Sequence, residues 1–177
     1  MPIQTTYPFS HDVALAGQPY GMGLHEKITA FSNAVAHFGR GLVFNDAVGA
    51  NSRPRVGYAA AAIANLSNFL GVAQYTHKQV TGDTPGLTTL VSPQVATYAI
   101  GDDITVVTKG KIWVVAETAV DLDDPVHITF NTTTGSGRIL GAFRNASVAS
   151  ETTDLSAIAR WAYRTTAAGI AVLELRP

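Results

Sequence analysis

The chain has 177 residues, 14% of them charged, with 12 basic against 13 acidic side chains, five histidines and no cysteine. This length fits one domain with a sizeable core, since single cores run to about 100–200 residues. A formal net charge of −1 supplies no basic excess for phosphate neutralisation, which argues against nucleic acid and anionic membranes as partners; the missing cysteines exclude disulfides, thiolate metal sites and cysteine nucleophiles.

Ordinary globular domains carry about 25% charged residues. The lower fraction here is too little solvated charge to cover the whole surface, so much of that surface is expected to face other protein. No apolar run reaches the roughly 18–20 residues of a membrane helix. The start, Met1-Pro2-Ile3-Gln4, has neither a basic region nor a continuous apolar stretch, which predicts no secretory signal.

Residues 1–23 interleave Pro2, Pro8, Gly17, Pro19, Gly21 and Gly23 with single apolar side chains. Neither helical nor strand periodicity survives that spacing, and proline and glycine raise the cost of ordering. Because Tyr7, Phe9 and Tyr20 nevertheless favour burial, the segment reads as an extended N-terminal arm that orders against a neighbour. Residues 24–177 read as a single β-rich domain. Tyr7, Phe9, Tyr20 and the following His25 are interface candidates, as are the loop arginines Arg40, Arg53 and Arg55. A guanidinium in a loop can reach a neighbouring carboxylate with two parallel bonds.

Within the domain, Ile28 to Phe38 has spacing compatible with a short helix, weakened by Thr29, Ser32 and Asn33. Leu42 to Phe44 and Phe69 to Tyr75 read as strands, Ala59 to Ala62 is ambiguous, and Thr81 to Pro93 is a loop. Ile104–Thr108 and Lys111–Val115, two β-branched runs about Lys109-Gly110, predict a hairpin. A second hairpin is expected between Val126–Phe130 and Arg138–Arg144, with the polar tract 131–137 as its turn. Alternation puts His127 on a solvent or interface face. Ala157–Tyr163 and Ile170–Leu175 close the chain, with Ala171, Leu173 and Leu175 pointing inward. Trp113 and Trp161 are expected in the core. So many short strands predict a mainly β fold, an antiparallel β-sandwich or small barrel (jelly-roll-like).

Reactive chemistry is not supported. The histidines at 11, 25, 37, 77 and 127 form no metal-binding spacing. Asp102, Asp103, Asp121, Asp123 and Asp124 sit before strands, where Asp side chains bond nearby backbone donors, and they lack the glycine and terminal Glu of a calcium loop. Gly135-Ser136-Gly137 lacks the nucleophile-elbow pattern. The expectation is a protein that is not an enzyme and carries no cofactor or metal.

The order of Tyr98-Ala-Ile-Gly-Asp-Asp-Ile-Thr-Val-Val, Lys109-Gly-Lys-Ile-Trp-Val-Val, Asp124-Pro-Val-His-Ile-Thr-Phe, Gly137-Arg-Ile-Leu-Gly-Ala-Phe-Arg, Ala159-Arg-Trp-Ala-Tyr and Gly169-Ile-Ala-Val-Leu-Glu-Leu resembles the structural cement, or head decoration, proteins of tailed bacterial viruses. A weaker echo lies at Phe38-Gly-Arg-Gly-Leu-Val-Phe. The resemblance implies a β-rich fold and a homo-oligomer, dimer or trimer, on the outer capsid surface of the virion. It also implies extended segments laid across major capsid protein subunits and synthesis in the cytoplasm of the bacterial host. No catalytic residue comes with it. The alternative reading is a virion-displayed host-surface or carbohydrate-binding module.

Overall fold

The computed structural model of the chain describes residues 15–21, 23–44, 55–58, 68–75, 97–132 and 137–176. The stretches read as ambiguous at Ala59–Ala62 and as loop at Thr81–Pro93 lie outside them. In chain order the strands are β1 (Glu26–Ser32), β2 (Ala36–His37), β3 (Gly41–Phe44), β4 (Arg55–Gly57), β5 (Phe69–Ala73), β6 (Thr97–Tyr98), β7 (Asp103–Ala116), β8 (His127–Thr129), β9 (Phe143–Arg144), β10 (Thr152–Asp154), β11 (Ala159–Trp161) and β12 (Gly169–Leu175). No α-helix occurs among the described residues. The helical spacing at Ile28–Phe38 is overridden: Thr29 and Phe31 suit a half-buried strand, and Ala30 points inward.

β1 pairs with β4, β4 with β3, β3 with β5, β5 with β7, and β7 returns to β1. That ring is a closed five-stranded barrel, which leaves those strands no open edge. Ala30, Leu42, Val56, Ala73, Ile104 and Val106 fill it. The short β2–β6 ribbon packs on the same core through Ala36 and Tyr98. Phe38 sits edge-on to Tyr98 and to Tyr75, at 5.1 Å in each case.

The predicted hairpin at Lys109-Gly110 is corrected. β7 runs straight through it as one 14-residue strand. Gly110 has φ +109°, and the strand changes partners there: β1 and β5 flank its first half, β12 its second. A second sheet grows from that half in the order β10-β8-β9-β7-β12-β11. It curls back on itself, because β10 and β11 are separated by only residues 155–158 and Trp161 Nε1 donates to the Pro125 carbonyl, just ahead of β8, at 3.1 Å. Inside lie Ile112, Val114, Ile128, Phe143, Leu155, Trp161 and Leu173, together with Val43, Val72 and Val107 of the barrel strands. The two halves therefore share β7 and one packed seam. Val106 and Val107 are both buried because one faces the barrel core and the other faces the second core.

The second expected pairing is present, since β8 runs antiparallel to β9. Strand geometry is reached only at Phe143, because Glu117 holds the preceding segment: its Oε1 accepts the Ile139 N–H at 2.6 Å and its Oε2 accepts the Thr129 hydroxyl at 3.2 Å. β11 pairs antiparallel with β12, whose Ala171, Leu173 and Leu175 face inward as expected. His127 is corrected from the surface to the interior, 8% exposed. β8 is flanked by β9 and β10, and every residue from Val126 to Phe130 is buried, so alternation does not translate into exposure. Trp161 is core; Trp113 is only half-buried.

Candidate interaction surface

Residues 15–20, read as part of an arm, lie along the second half of β7 in their own chain. Gly17 N–H donates to the Trp113 carbonyl at 2.7 Å, Trp113 N–H to the Gln18 carbonyl at 3.0 Å, and Tyr20 N–H to the Lys111 carbonyl at 2.8 Å. Pro19, opposite Ile112, occupies the position of this pairing that needs no donor, which is how a strand tolerates a proline. On the other side Tyr75 N–H donates to the Gly17 carbonyl at 2.8 Å. Gly17 has φ +83°, and a Cβ there would lie 2.7 Å from both the Ala73 carbonyl oxygen and the Tyr75 nitrogen; only glycine fits between the end of β5 and β7.

Tyr20 is half-buried in an aromatic cluster, its ring 5.4 Å from Trp113 edge-on and 5.1 Å from Tyr163. A hydrogen bond to the Tyr163 hydroxyl raises the Tyr20 phenol above its ordinary pKa. His25 reaches the same carbonyl as Tyr20: its Nε2 donates to Lys111 O at 2.8 Å. Tyr20 and His25 are thus brought together on one β7 residue.

Arg40 is a tie between the two halves. Its Nη1 donates to the Leu140 carbonyl at 3.4 Å, and its flanking glycines bond to the Ala73 and Gly141 carbonyls. The guanidinium also bonds the Tyr58 hydroxyl, which accepts the His37 N–H at 2.7 Å. Burial raises the Tyr58 phenol, an effect that the His37 and Arg40 bonds oppose. Burial, reinforced by the Arg40 charge, lowers His37. Arg55 lies in β4, half-buried opposite Phe31, away from the Tyr20–His25 pair along the sheet. Tyr7, Phe9 and Arg53 lie outside the described residues.

The acidic turns behave as capping turns. Asp124 Oδ2 accepts the Asp121 N–H at 2.8 Å, Asp121 Oδ1 accepts the Leu122 N–H at 2.7 Å, and Asp102 Oδ2 accepts the Ala99 N–H at 2.8 Å. The Leu122 bond and the Arg164 guanidinium hold Asp121 below the ordinary carboxylate range. Among the described residues no group of His, Asp and Glu is placed to hold a metal ion, and no helix is long and apolar enough to cross a membrane.

Asp154 stands opposite His127 across β8 and β10. The Ser156 hydroxyl donates to Asp154 at 2.6 Å and accepts the Val126 N–H at 3.0 Å. The serine is therefore bonded to the carboxylate, not to the imidazole, the reverse of the order a nucleophilic triad requires. Ser156 is the reason Asp154 is held low. A shallow depression of about 430 Å³ is lined by Lys111, Leu122, Asp123, Arg160 and Glu174 among others. Arg160 Nε and Glu174 Oε2 pair within it at 2.6 Å.

Large apolar side chains are left bare elsewhere: Leu24 is 97% exposed, Ile100 67%, Leu122 53% and Tyr163 47%. The profile of the structural cement protein family (E217 gp24/Pam3 gp6) matches residues 3–176. The chain belongs to that family. This phage structural protein also shares its fold with a chain in the solved capsid of Myoviridae phage XM1, with a TM-score of 0.65 and 15% identity over 98% of both chains. The head fiber gp8.5 N base of bacteriophage phi29 aligns over 86% of this chain and 94% of that one at 12% identity and a TM-score of 0.42. No curated protein sequence matches the chain.

Trp113, Tyr163, Gly17 and Gly110 were not singled out for this surface by sequence reasoning. Gly17 and Pro19 carried the available signal, a glycine and a proline at strand spacing, but their partner strand lies far along the chain.

Proposed function

We propose that this cement protein binds the outer surface of the assembled head and stabilises it by bridging major capsid protein subunits, as a homo-oligomer, dimer or trimer. It acts without catalysis or cofactor, and it is made in the cytoplasm of the bacterial host before joining the virion. The family match over residues 3–176 carries this reading, and the bare Leu24, Ile100, Leu122 and Tyr163 support it as contact points. Several modest contacts on one oligomer add through effective concentration, so a lattice is held firmly although each patch is weak.

Residues 1–23 act as the arm that engages capsid, with residues 24–177 as the domain that carries it; Tyr7, Phe9, Tyr20, His25, Arg40, Arg53 and Arg55 are the proposed contact residues. Because residues 15–20 bond to β7 in their own chain, removal of residues 1–14 is the cleaner deletion. The expected result is a protein that melts cooperatively near the wild-type temperature and no longer sediments with capsids. Undiminished binding by the deletion would remove the arm from the account. Binding to a glycan array in place of capsids would favour the host-surface reading.

A further inference from the structure

We propose that the outer face of the second sheet, at the depression beside Leu122, docks an acidic protein segment of the capsid shell. This rests on the capsid-binding reading and names both the contact used and the chemistry opposite it. Strand register builds the depression. Lys111 of β7 lies directly opposite Glu174 of β12, and Glu174 directly opposite Arg160 of β11. Side chains opposite one another share a face. This face points away from the core, because the neighbours Ile112, Leu173 and Trp161 point into it. Arg176, two residues beyond Glu174, lines the same depression.

Three cations and two carboxylates, Asp123 and Glu174, line it, a local positive excess in a chain of net charge −1. Glu174 is taken by Arg160 at 2.6 Å, whereas Lys111 and Arg176 form no ion pair among the described residues. The Arg160 hydrogen bond holds Glu174 below the ordinary carboxylate range, and the charges of Arg160, Lys111 and Arg176 act in the same sense. All three cations therefore converge on one small area, and two of them await a counter-charge that a partner's carboxylates would supply. The rest of the face is aromatic and apolar. Trp113, two residues on from Lys111, stands on the same face, and the Tyr20 ring packs on it and on the half-exposed Tyr163. Leu122 is bare at the depression itself. Arginine, tryptophan and tyrosine are the residue types that concentrate binding energy at protein interfaces. The carboxylates of Asp123 and Glu174 repel a continuous polyanion such as nucleic acid. A peptide segment can instead set single carboxylates at Lys111 and Arg176 and an apolar side chain on Leu122.

The test is sedimentation of the full chain with bare, assembled capsids of its phage, read as the protein concentration that half-saturates the shells. Lys111→Gln/Arg176→Gln removes both free charges and keeps the Lys111 carbonyl that Tyr20 and His25 use, so its melting curve is expected to match the wild type. The expected result is a rise of about five- to tenfold in the half-saturating concentration. Wild-type binding should weaken by a similar factor between about 0.05 M and about 0.5 M salt, a dependence the double variant largely lacks. Asp123→Asn removes an opposing charge and is expected to tighten binding about two- to threefold. Full-strength binding by the double variant, or weaker binding by Asp123→Asn, would overturn the docking of an acidic segment while leaving capsid binding intact. Should the double variant melt early, Asp123→Asn and the wild-type salt titration decide the matter. A wild-type chain that itself fails to pellet removes the capsid-binding reading, and this inference with it.

Discussion

Replacing Gly110 by alanine tests the pivot on which both halves of the fold depend. Gly110 holds φ +109°, and a Cβ there would lie 2.7 Å from His25 Cδ2 and 2.9 Å from the Leu24 carbonyl oxygen. Holding a non-glycine residue in so sparse a backbone region costs about 1–3 kcal/mol. Pushing His25 away also breaks its bond to Lys111 O, a further loss of about 1 kcal/mol. The sum, about 2–4 kcal/mol, corresponds to a fall in Tm of roughly 5–15 °C for a chain of this size.

Gly21→Ala is the matched control. It also has a positive φ, +72°, but its Cβ would meet nothing within 4 Å, so only the backbone cost of about 1–2 kcal/mol applies. Thermal unfolding followed by circular dichroism measures both variants. A His25→Ala background should reduce the extra cost of Gly110→Ala, because part of the clash is with that ring. Equal losses for Gly110→Ala and Gly21→Ala would refute the view that residues 24–25 cross tightly over Gly110 of β7.

Glu117 is 9% exposed at its side chain and serves the Ile139 N–H, the Thr129 hydroxyl and, at 3.6 Å, the Arg144 guanidinium. Glu117→Ala strands a buried cation and a buried donor, with an expected loss of about 3–5 kcal/mol by urea unfolding; Glu117→Gln, which keeps an acceptor, should lose clearly less. His37 has its folded pKa lowered from 6.5 by burial and by Arg40, so the unfolded chain binds the proton more readily. Its contribution is complete above about pH 6.5 and lost as pH falls from there toward the folded value. His37→Asn should flatten that slope in unfolding free energy, and an unchanged slope would place its origin elsewhere. Asp121, Asp154 and Glu174 are lowered from 3.8, 3.8 and 4.5; their contribution persists above those values and disappears as pH falls through the still lower folded ones. An acid-unfolding limb below about pH 4 that weakens in Glu174→Gln is the expected sign.

β3, β5 and β12 are legible in the sequence because each is a short apolar run whose own residues supply the signal. Leu173 and Leu175 turn inward as their alternation requires. β7 is not legible. Lys109-Gly110 carries the local signature of a reversal, yet the second half of the strand pairs with β12 and with residues 17–20, and those distant partners decide that the chain continues. His127 shows the same limit from the other side: its strand alternates, but both neighbouring strands and the second core enclose it. At the candidate surface, Tyr20 and His25 stand out as rings in a glycine- and proline-punctuated stretch. Their meeting on Lys111 O, and the packing of Tyr20 on Trp113 and Tyr163, arise only after β7 and the C-terminal strands have assembled. Arg40 reads as a loop arginine and folds as a tie to Leu140 and Tyr58, because its flanking glycines bring three separate backbones together.

The most direct measurement is sedimentation of the purified chain with bare, assembled capsids of its phage. The account predicts that the protein pellets with the shells at a fixed, saturable ratio and raises the temperature at which they come apart. A protein that stays in the supernatant and leaves shell stability unchanged would contradict it.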